Sequence, residues 1–338
     1  MDYQWYPGHM TKARRMMQEN VRLVDLVIEI LDARVPMSSR NPDINQLAQG
    51  KQRLIIMSKA DLADPKMTER FVKQFEKDGA SVIALDARTK KANNQIMKSL
   101  QKITKEKKER DKKRGIIVRP VRAMICGIPN VGKSTFINSL SGRSSAKTGN
   151  KPGVTKGKQW ISFAGLELLD TPGILWPKFE DQQVGVRLAL VGSIRDEILD
   201  EEELARKLLA FMVQTYPELL QARYGMARPK AGGESESSNE FTNEFINESS
   251  NESMNESLKE SAERSTEEFK DELLQAMELA KESGYNDRQL HEILVIIAAR
   301  RNLLRSGGEA DPRRAAHLLM DDFRSGRLGA ITLDTPEA

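Results

Sequence analysis

Three short motifs carry residue types that bind a nucleoside triphosphate. Gly127-Ile-Pro-Asn-Val-Gly-Lys-Ser134 fits the phosphate-binding loop pattern G-x-x-x-x-G-K-[ST]. Asp170-Thr-Pro-Gly173 fits the acidic D-x-x-G turn that contacts Mg²⁺ and the γ-phosphate, and Ser58-Lys59-Ala60-Asp61 fits a base-reading turn. In the common order the base reader comes last, whereas here it precedes the phosphate loop. This order predicts a circularly permuted nucleotide-binding domain.

The phosphate loop supplies positive charge and backbone donors. Gly127 and Gly132 let the backbone curl so that its N–H groups face phosphate oxygens, and the following helix adds its positive end. In such loops the lysine neutralises β- and γ-phosphate oxygens, and the Ser or Thr after it ligates Mg²⁺. We therefore expect nucleotide contacts from the end of the loop, namely Asn130, Val131, Gly132, Lys133, Ser134 and Thr135.

The base-reading turn predicts guanine. The Asp61 carboxylate can accept hydrogen bonds from guanine N1–H and the exocyclic amine, which adenine does not offer in that geometry. Sites of this kind can discriminate by roughly 10⁴-fold. Lys59 is expected along the base plane, and the Asp86-Ala87 pair is expected near guanine O6. Ser58 stands where such turns usually carry Asn, so we expect one side-chain tether to be lost and nucleotide affinity to be weakened.

The metal ligands are expected around the γ-phosphate. Thr155 falls between the phosphate loop and the D-x-x-G turn, where a switch threonine completes Mg²⁺ coordination. With Ser134 and Asp170 it forms the predicted Mg²⁺ set, and Gly173 is expected beside the γ-phosphate. The predicted ligands are thus GTP or GDP with Mg²⁺.

The residue that activates the attacking water is less obvious from the sequence. Many GTPases place Gln directly after D-x-x-G, but here Ile174 holds that position and cannot polarise water. Because the permutation puts the N-terminus next to this turn, we expect His9 to position or deprotonate the water, with Thr155 and Lys133 as the other catalytic residues. A His9 that starts a helix or faces RNA is the alternative.

The order of predicted elements indicates an α/β fold. Apolar runs at 24–31, 53–57, 81–85 and 121–126 read as strands covered on both faces, and helical patterns occupy 9–20, 92–109 and 133–140. Residues 160–163 and 166–169 read as a hairpin joined at Ala164-Gly165. We predict a mostly parallel sheet with helices on both faces and the ligand at the carboxyl ends of the strands, in a domain of residues 1–178.

A second, all-α domain is predicted over residues 179–338. Amphipathic helical patterns occupy 184–192, 200–215, 266–282, 288–304 and 312–323. Between them, an acidic insert at about 231–265 consists of Asn-Glu-Ser repeats. Its low hydrophobicity and negative charge predict disorder.

The charge distribution suggests a polyanionic partner. The chain has 53 basic and 49 acidic residues, but residues 231–270 hold 11 Glu against 3 Lys or Arg, which leaves 50 basic and 38 acidic residues elsewhere. Nucleic acid is the expected partner, through the arginines of the last helices or through the basic run Lys105–Arg114. Ordinary solvated faces are the alternative for both.

Cysteine use and hydropathy bear on the compartment. Cys126 is the single cysteine of the chain, which excludes an intramolecular disulfide and fits a reducing compartment. There is no apolar run of about 18 residues and no signal-peptide core, so we expect a cytoplasmic protein with no membrane partner.

Taken together, these motifs resemble the ribosome biogenesis GTPase A (RbgA/YlqF) family of circularly permuted GTPases. The resemblance covers nearly the whole chain except the insert. The motifs that carry it are Trp5-Tyr-Pro-Gly-His-Met10, Asp32-Ala-Arg-Val-Pro36, Ser39-Arg-Asn-Pro42, Gly127–Thr135, Pro152-Gly-Val-Thr155, Asp170-Thr-Pro-Gly173, Ser306-Gly-Gly308 and Asp322-Phe-Arg-Ser-Gly326.

The resemblance implies a GTPase acting in late assembly of the large (50S) ribosomal subunit, with a helical domain that binds rRNA. It also implies stimulation by K⁺, with Asn130 at the position associated with that ion, and a catalytic role for His9. We expect a monomer off the ribosome. Three alternatives stay open: action on the small subunit or in tRNA metabolism, a guanine-nucleotide sensor without productive turnover, and an ATP-using P-loop enzyme.

Overall fold

The first of two compact units is built on a six-stranded sheet. The computed structural model describes residues 8–86, 89–115, 119–141, 159–163, 166–176, 179–194, 200–225 and 272–336. The spatial strand order is β3-β2-β1-β4-β6-β5, in which β5 and β6 pair antiparallel and the other neighbours pair parallel. In chain order the strands are β1 (Leu26–Asp32), β2 (Gln52–Ser58), β3 (Ser81–Ala84), β4 (Val121–Cys126), β5 (Gln159–Phe163) and β6 (Leu166–Asp170). The predicted mostly parallel α/β sheet and the 160–169 hairpin are confirmed.

Helices connect these strands, as the alternation of the pattern predicted. They are α1 (Gly8–Asn20), α2 (Pro42–Leu47), α3 (Pro65–Lys77), α4 (Lys90–Lys113), α5 (Lys133–Ser141) and α6 (Gln182–Leu190). Capping side chains and prolines set where two of these helices begin. Asn41 caps α2 by accepting from the Asp43 N–H, and Asp64 caps α3 by accepting from Lys66 and Met67 N–H, each directly before a proline that suits the first helical turn.

The central strands are buried along their whole length. All seven residues of β1 are buried, including Glu29, whose carboxylate lies 2.6 Å from the Arg53 guanidinium. Burial raises the pKa of Glu29 against the opposing charges of Arg53 and Arg40. On one side of the sheet, Phe71 and Phe75 of α3 join the hydrophobic cluster of the β1 and β2 side chains. Continuous apolar strands are what a sheet covered on both faces requires.

Parallel pairing brings the strand ends to one edge of the sheet. Asp32 pairs with Ser58 at the ends of β1 and β2, and Ile125 pairs with Asp170 near the ends of β4 and β6. The segments that follow these strands are therefore neighbours, although they are far apart in sequence. In open α/β sheets this is the edge where ligands bind.

The second unit, Ala205–Leu319, is helical. Its elements are α7 (Glu201–Thr215), α8 (Pro217–Leu220) with a π-helical turn Gln221–Gly225, α9 (272–282), α10 (Asp287–Arg300) and α11 (Pro312–Ser325). The first residues of α7, and α11 from Met320 onward, belong to the sheet unit. Within the described residues, extended pairing in this unit is limited to one bridge between Leu304 and Ala310. The helical character of the C-terminal region is confirmed.

The compact units divide the chain at different residues from the predicted domains. Residues through Leu204, together with Met320–Ala338, cluster with the sheet, whereas the sequence predicted a change after residue 178. The acidic insert at 231–265 lies outside the described residues. Cys126 is a buried free thiol. In the part of the chain that the structure describes, no helix is both long and apolar enough to cross a bilayer.

Candidate nucleotide-binding and catalytic site

The base-reading turn and the phosphate loop meet through a buried serine. The Ser58 hydroxyl at the end of β2 lies 2.6 Å from the Val131 carbonyl oxygen and 2.9 Å from the Leu31 carbonyl oxygen. Its single proton can serve either acceptor, and the side chain is buried. The Ser58 side chain thus contacts the phosphate loop directly, and the loss of one tether and of nucleotide affinity relative to Asn stays a prediction.

Lys59 makes a second link between the same two segments. Its backbone is left-handed, with φ of 55°, which turns the chain sharply after β2. Its ammonium donates to the Asn130 carbonyl at 2.9 Å and to the Asp32 carboxylate at 2.8 Å. Burial lowers the pKa of Lys59, and the negative charge of Asp32 opposes that effect. The lysine stem is thus fixed beside the phosphate loop, where the sequence expects the base plane.

The phosphate loop is held in a tight curl. A Cβ added at Gly127 would lie 2.4 Å from the Ile30 carbonyl oxygen, and Gly132 has φ of 98°, so both positions require glycine. The Lys133 ammonium donates to the carbonyls of Gly127 and Ile128 at 3.1 and 2.7 Å. Burial lowers the pKa of Lys133 to about 8, and the negative charge of Asp170 opposes that effect.

The D-x-x-G turn packs directly on this loop. A Cβ at Gly173 would lie 2.8 Å from Pro129 Cα and 2.9 Å from Lys133 Nζ, so glycine is required for the close approach. Thr171 ties the turn to β4 through a 2.6 Å hydrogen bond to the Ile125 carbonyl. Asp170 is buried at the end of β6. The predicted phosphate, metal and γ-phosphate elements thus lie together.

The oxygen donors present fit a magnesium ion bound with a nucleotide. Asp170 and Ser134 offer a carboxylate and a hydroxyl, and Mg²⁺ prefers a few such ligands with substrate phosphates completing the shell. Within the described residues, no group of three or more His, Cys, Asp or Glu forms a metal site of its own. Mg²⁺ would add positive charge at the phosphates, beside Lys133.

The structure describes only some of the other predicted site residues. Asp61 is exposed in the turn after β2. Asp86 follows Leu85 after the neighbouring strand β3, and the Leu85 carbonyl accepts from the Ala60 N–H. Thr155 and Ala87 lie outside the described residues. His9 lies in the first turn of α1, and its side chain is outside them too. Their roles, like those of the phosphate-loop residues, stay predictions.

Ile174, the apolar residue directly after the D-x-x-G turn, is buried. Its carbonyl accepts a 3.4 Å hydrogen bond from the Asn41 side chain. Asn41 belongs to the Ser39-Arg-Asn-Pro42 motif, which also supplies the Ser39 hydroxyl that accepts from the Asp32 N–H. This motif therefore holds the segment after D-x-x-G and the end of β1.

Sequence reasoning gave no role to Asp32, which lies at the centre of the site. Its carboxylate receives two hydrogen bonds from the Arg34 guanidinium, at 2.9 and 2.8 Å, besides the one from Lys59. Burial would raise the pKa of Asp32, but the charges of Arg34 and Lys59 outweigh it and hold the pKa well below its ordinary range. The Asp-Ala-Arg pattern at the end of a buried strand was the available signal.

Two further contacts had no sequence signal. The Asn130 side-chain amide donates to the Gly192 carbonyl at 2.7 Å, and the Ser193 hydroxyl donates to the Pro129 carbonyl at 3.0 Å. Both partners lie just after α6 and carry no recognisable motif. The hydrogen bond uses the amide nitrogen of Asn130, whereas a cation would be ligated by its amide oxygen.

A guanine-type reading turn, a phosphate loop and a D-x-x-G turn at one sheet edge define the P-loop GTPase class. Because the turn comes from a strand N-terminal to the loop, this GTPase domain is circularly permuted. A family model described as 50S ribosome-binding GTPase matches residues 122–228.

Relatives extend the match over the whole chain. Ribosome biogenesis GTPase A of Bacillus cereus is 38% identical over 338 residues, covering 100% of this chain and 95% of the relative. The Bacillus pumilus protein of the same name is 48% identical over 227 residues, 67% of this chain and 80% of the relative. The solved structure of GNP-bound YlqF from T. maritima has a TM-score of 0.55 at 24% identity, over 96% of this chain and 99% of that one, and supports the fold. The chain belongs to the ribosome biogenesis GTPase A family, and it is a GTPase that binds guanine nucleotides.

Proposed function

We propose that this GTPase acts in late assembly of the large ribosomal subunit by binding rRNA in a nucleotide-dependent way. The observation that carries the proposal is the full-length match to ribosome biogenesis GTPase A of Bacillus cereus, which includes the helical region as well as the GTPase domain. The family model named for 50S binding supports the large subunit as the partner. The basic balance outside the acidic insert supports a polyanionic partner.

The proposed rRNA contact lies in the helical unit. Leu304, Arg305, Ser306, Asp311 and Arg313 line an open depression of about 640 Å³. Arg305 and Arg313 are exposed there, and Arg314 is exposed beside them. Guanidinium groups around an open polar depression suit phosphate oxygens.

Not every arginine of the last helices belongs to this surface. Arg300 donates to the Gly225 carbonyl, and Arg301 donates to the Arg223 carbonyl and lies over the Tyr224 ring. These two guanidinium groups hold the π-helical turn after α8. The rRNA surface is therefore narrower than the run of arginines in the sequence.

The nucleotide controls this binding in the proposed mechanism. GTP with Mg²⁺ orders Thr155 and the 170–178 turn, whose Gly173 packs on Pro129 of the phosphate loop. The helical domain proposed for residues 179–338 follows that turn directly in the chain. The presence or absence of the γ-phosphate then selects tight or loose rRNA binding.

Hydrolysis is proposed to depend on His9 and on ions at the phosphate loop. Ile174 is buried and apolar, so another residue has to position the water, and His9 is the candidate. K⁺ near Asn130 is proposed to add positive charge beside the phosphates. Intrinsic turnover is slow in GTPases that lack a partner, and the assembling subunit is proposed to accelerate it.

The buried Ile174 also favours a second candidate, a guanine-nucleotide sensor in which the resting chain turns GTP over too slowly to matter. Phosphate release with and without ribosomal subunits separates the two. A sensor stays slow in every condition, whereas an assembly GTPase is accelerated by its subunit.

One experiment tests the main proposal: GTP turnover in K⁺ and in Na⁺ buffer, alone or with purified large or small subunits. We expect the highest turnover in K⁺ with large subunits. Acceleration by small subunits alone would contradict the proposal.

Paired variants test the rRNA surface through their binding to large subunits at increasing salt concentration. Arg305→Gln and Arg313→Gln are expected to weaken binding to large subunits and to reduce its salt dependence. Arg288→Gln removes an equally exposed arginine from α10, away from the depression, and serves as the matched control. Equal effects of the three substitutions would argue for a diffuse charge effect.

A further inference from the structure

The C-terminal end of α11 holds the C-terminal end of α6. Arg324 donates through its Nε to the Leu190 carbonyl and through a terminal guanidinium nitrogen to the Ala189 carbonyl, both at 3.0 Å. The last carbonyls of a helix lack intrahelical donors and carry partial negative charge. The Ala189 carbonyl also accepts from the Gly192 N–H at 3.0 Å, and the Arg324 guanidinium adds a charged donor to it and to the Leu190 carbonyl.

The residues after α6 contact the phosphate loop. Gly192 has φ of 76° and turns the chain so that its carbonyl accepts from the Asn130 side chain. Ser193 then donates to the Pro129 carbonyl. Arg324 therefore acts on the phosphate loop indirectly. It holds the end of α6, and the residues after α6 contact Pro129 and Asn130.

A second route leads from the same segment to the same loop. The Arg34 guanidinium lies over the Phe323 ring at 5.4 Å and donates to the Arg324 carbonyl at 3.5 Å. Arg34 also holds Asp32, Asp32 holds Lys59, and Lys59 donates to the Asn130 carbonyl. The two routes close a ring of hydrogen bonds that joins Phe323-Arg324 to Pro129-Asn130.

The residues after α11 extend this contact along the base-reading side. Ile331 N–H donates to the Leu62 carbonyl at 3.0 Å, and the Thr332 hydroxyl accepts from the Asp64 N–H at 3.0 Å. Leu333 N–H donates to the Arg34 carbonyl at 2.7 Å. The tail thus runs beside the turn that contains Asp61.

We infer that the segment Met320–Leu333 is a positioning element of the nucleotide site, with Arg324 as its positioning residue. The segment holds the phosphate loop and the base-reading turn in one arrangement, so its docking and nucleotide binding favour each other. By linkage, a nucleotide that tightens the loop also tightens the segment.

The inference rests on nucleotide binding at the 127–135 loop and does not depend on which RNA is bound. The segment follows Pro312–Leu319 of the helical unit within the same helix, α11.

The test compares an arginine inside the segment with one outside it. Arg324→Gln removes the contacts to α6. Arg288→Gln removes an equal charge from an exposed position of α10. With the full chain, we expect Arg324→Gln to weaken GDP and GTP-analogue affinity by about fivefold or more, with Arg288→Gln close to the parent. Equal affinities in the two variants, or equal losses of affinity matched by equal losses of melting temperature, would overturn the inference.

A measurement on the unsubstituted protein covers the case in which Arg324→Gln does not fold. GDP is expected to slow amide hydrogen exchange at 320–333 and at 189–194, as well as at the phosphate loop. Amide hydrogen exchange at 320–333 that is equally fast with and without GDP would overturn the inference. Lys133→Ala separates this failure from failure of the site itself: if that variant binds GDP as tightly as the parent, the nucleotide lies elsewhere.

Discussion

The Ser58 hydroxyl lies 2.6 Å from the Val131 carbonyl, and this contact joins the end of the base-reading strand to the phosphate loop. Both residues are buried. A Cβ added at Gly132 would lie 3.8 Å from Ser58 Oγ, so the serine side chain lies against the backbone of the phosphate loop.

Ser58→Ala is expected to weaken GDP and GTP affinity by about tenfold. A net hydrogen bond contributes roughly 0.5–1.5 kcal/mol, and a buried carbonyl left without its donor costs more. Guanine preference should persist, because Asp61 is unchanged. Fluorescent-nucleotide titration measures the change. Ser139→Ala is the control, since the Ser139 hydroxyl donates to the Phe136 carbonyl within α5. Unchanged GDP affinity in Ser58→Ala would show that the tether is dispensable.

Base choice is expected to follow Asp61. Asp61→Asn replaces one acceptor oxygen by a donor, so the side chain no longer matches guanine N1–H and amine but suits the 2-oxo group of xanthine. We expect GTP affinity to fall by roughly 100-fold or more and xanthosine nucleotides to bind better than in the parent.

Asp64→Asn is the matched control for this change. Asp64 lies three residues on and caps α3, so its substitution affects stability but not base preference. Competition by ATP equal to that by GTP in the parent would remove the base-reader assignment altogether.

The sequence was sufficient for the fold because its strands are buried on both faces. Runs such as Ile28–Leu31 and Leu54–Met57 cannot be left exposed, and the order of the motifs then fixes which strand ends must meet. Strand boundaries moved by one or two residues: β1 begins at Leu26, after the 3₁₀ turn Val21–Leu23, and it extends to Asp32 through pairing with Ser58. Helix ends moved further: α4 extends to Lys113, where the sequence predicted 109.

The site was predictable only where its chemistry is local. A phosphate loop is read from contiguous residues, whereas the Gly192 and Ser193 contacts depend on where α6 ends in space. The Ser58 contact with Val131 likewise depends on how closely the end of β2 approaches the loop, which a contiguous motif does not specify.

Nucleotide affinity is expected to fall as pH rises through about 8. Burial lowers the pKa of Lys133 to about 8, so the ammonium is progressively lost above that pH in the protein without nucleotide. Bound phosphates favour the charged form, so binding then requires proton uptake and weakens by up to about tenfold per pH unit. Below this range the lysine is already charged, and affinity should be flat.

Calorimetry in buffers of different ionisation enthalpy measures this proton uptake. We expect it to be near zero at about pH 7 and to approach one proton per GDP by about pH 9. Lys133→Arg is the control, because arginine stays charged throughout and should abolish the pH dependence even if affinity falls. Uptake that persists in Lys133→Arg would assign the titration to another group.

His9 is expected to act on the water and not on the nucleotide. The buried Ile174 cannot orient water. His9 lies in the first turn of α1. In a linear GTPase the element equivalent to α1 would directly follow D-x-x-G, so the permutation places His9 as a candidate beside that turn. His9→Ala should therefore reduce kcat by roughly 10²-fold, the lower range for removal of a general base. GDP affinity should stay within about twofold of the parent. Single-turnover phosphate release with large subunits gives the first quantity, and titration gives the second.

Two further variants decide what kind of role His9 has. His317→Ala removes an exposed histidine from α11 and should leave kcat unchanged. His9→Gln keeps a hydrogen-bonding group but no base, so partial recovery of kcat would indicate that orientation of the water matters, and no recovery would indicate proton transfer. If His9→Ala turns over as the parent does while binding GTP equally well, the water is activated elsewhere. In that case His9 serves to start α1 or to face RNA, as the alternative interpretation holds.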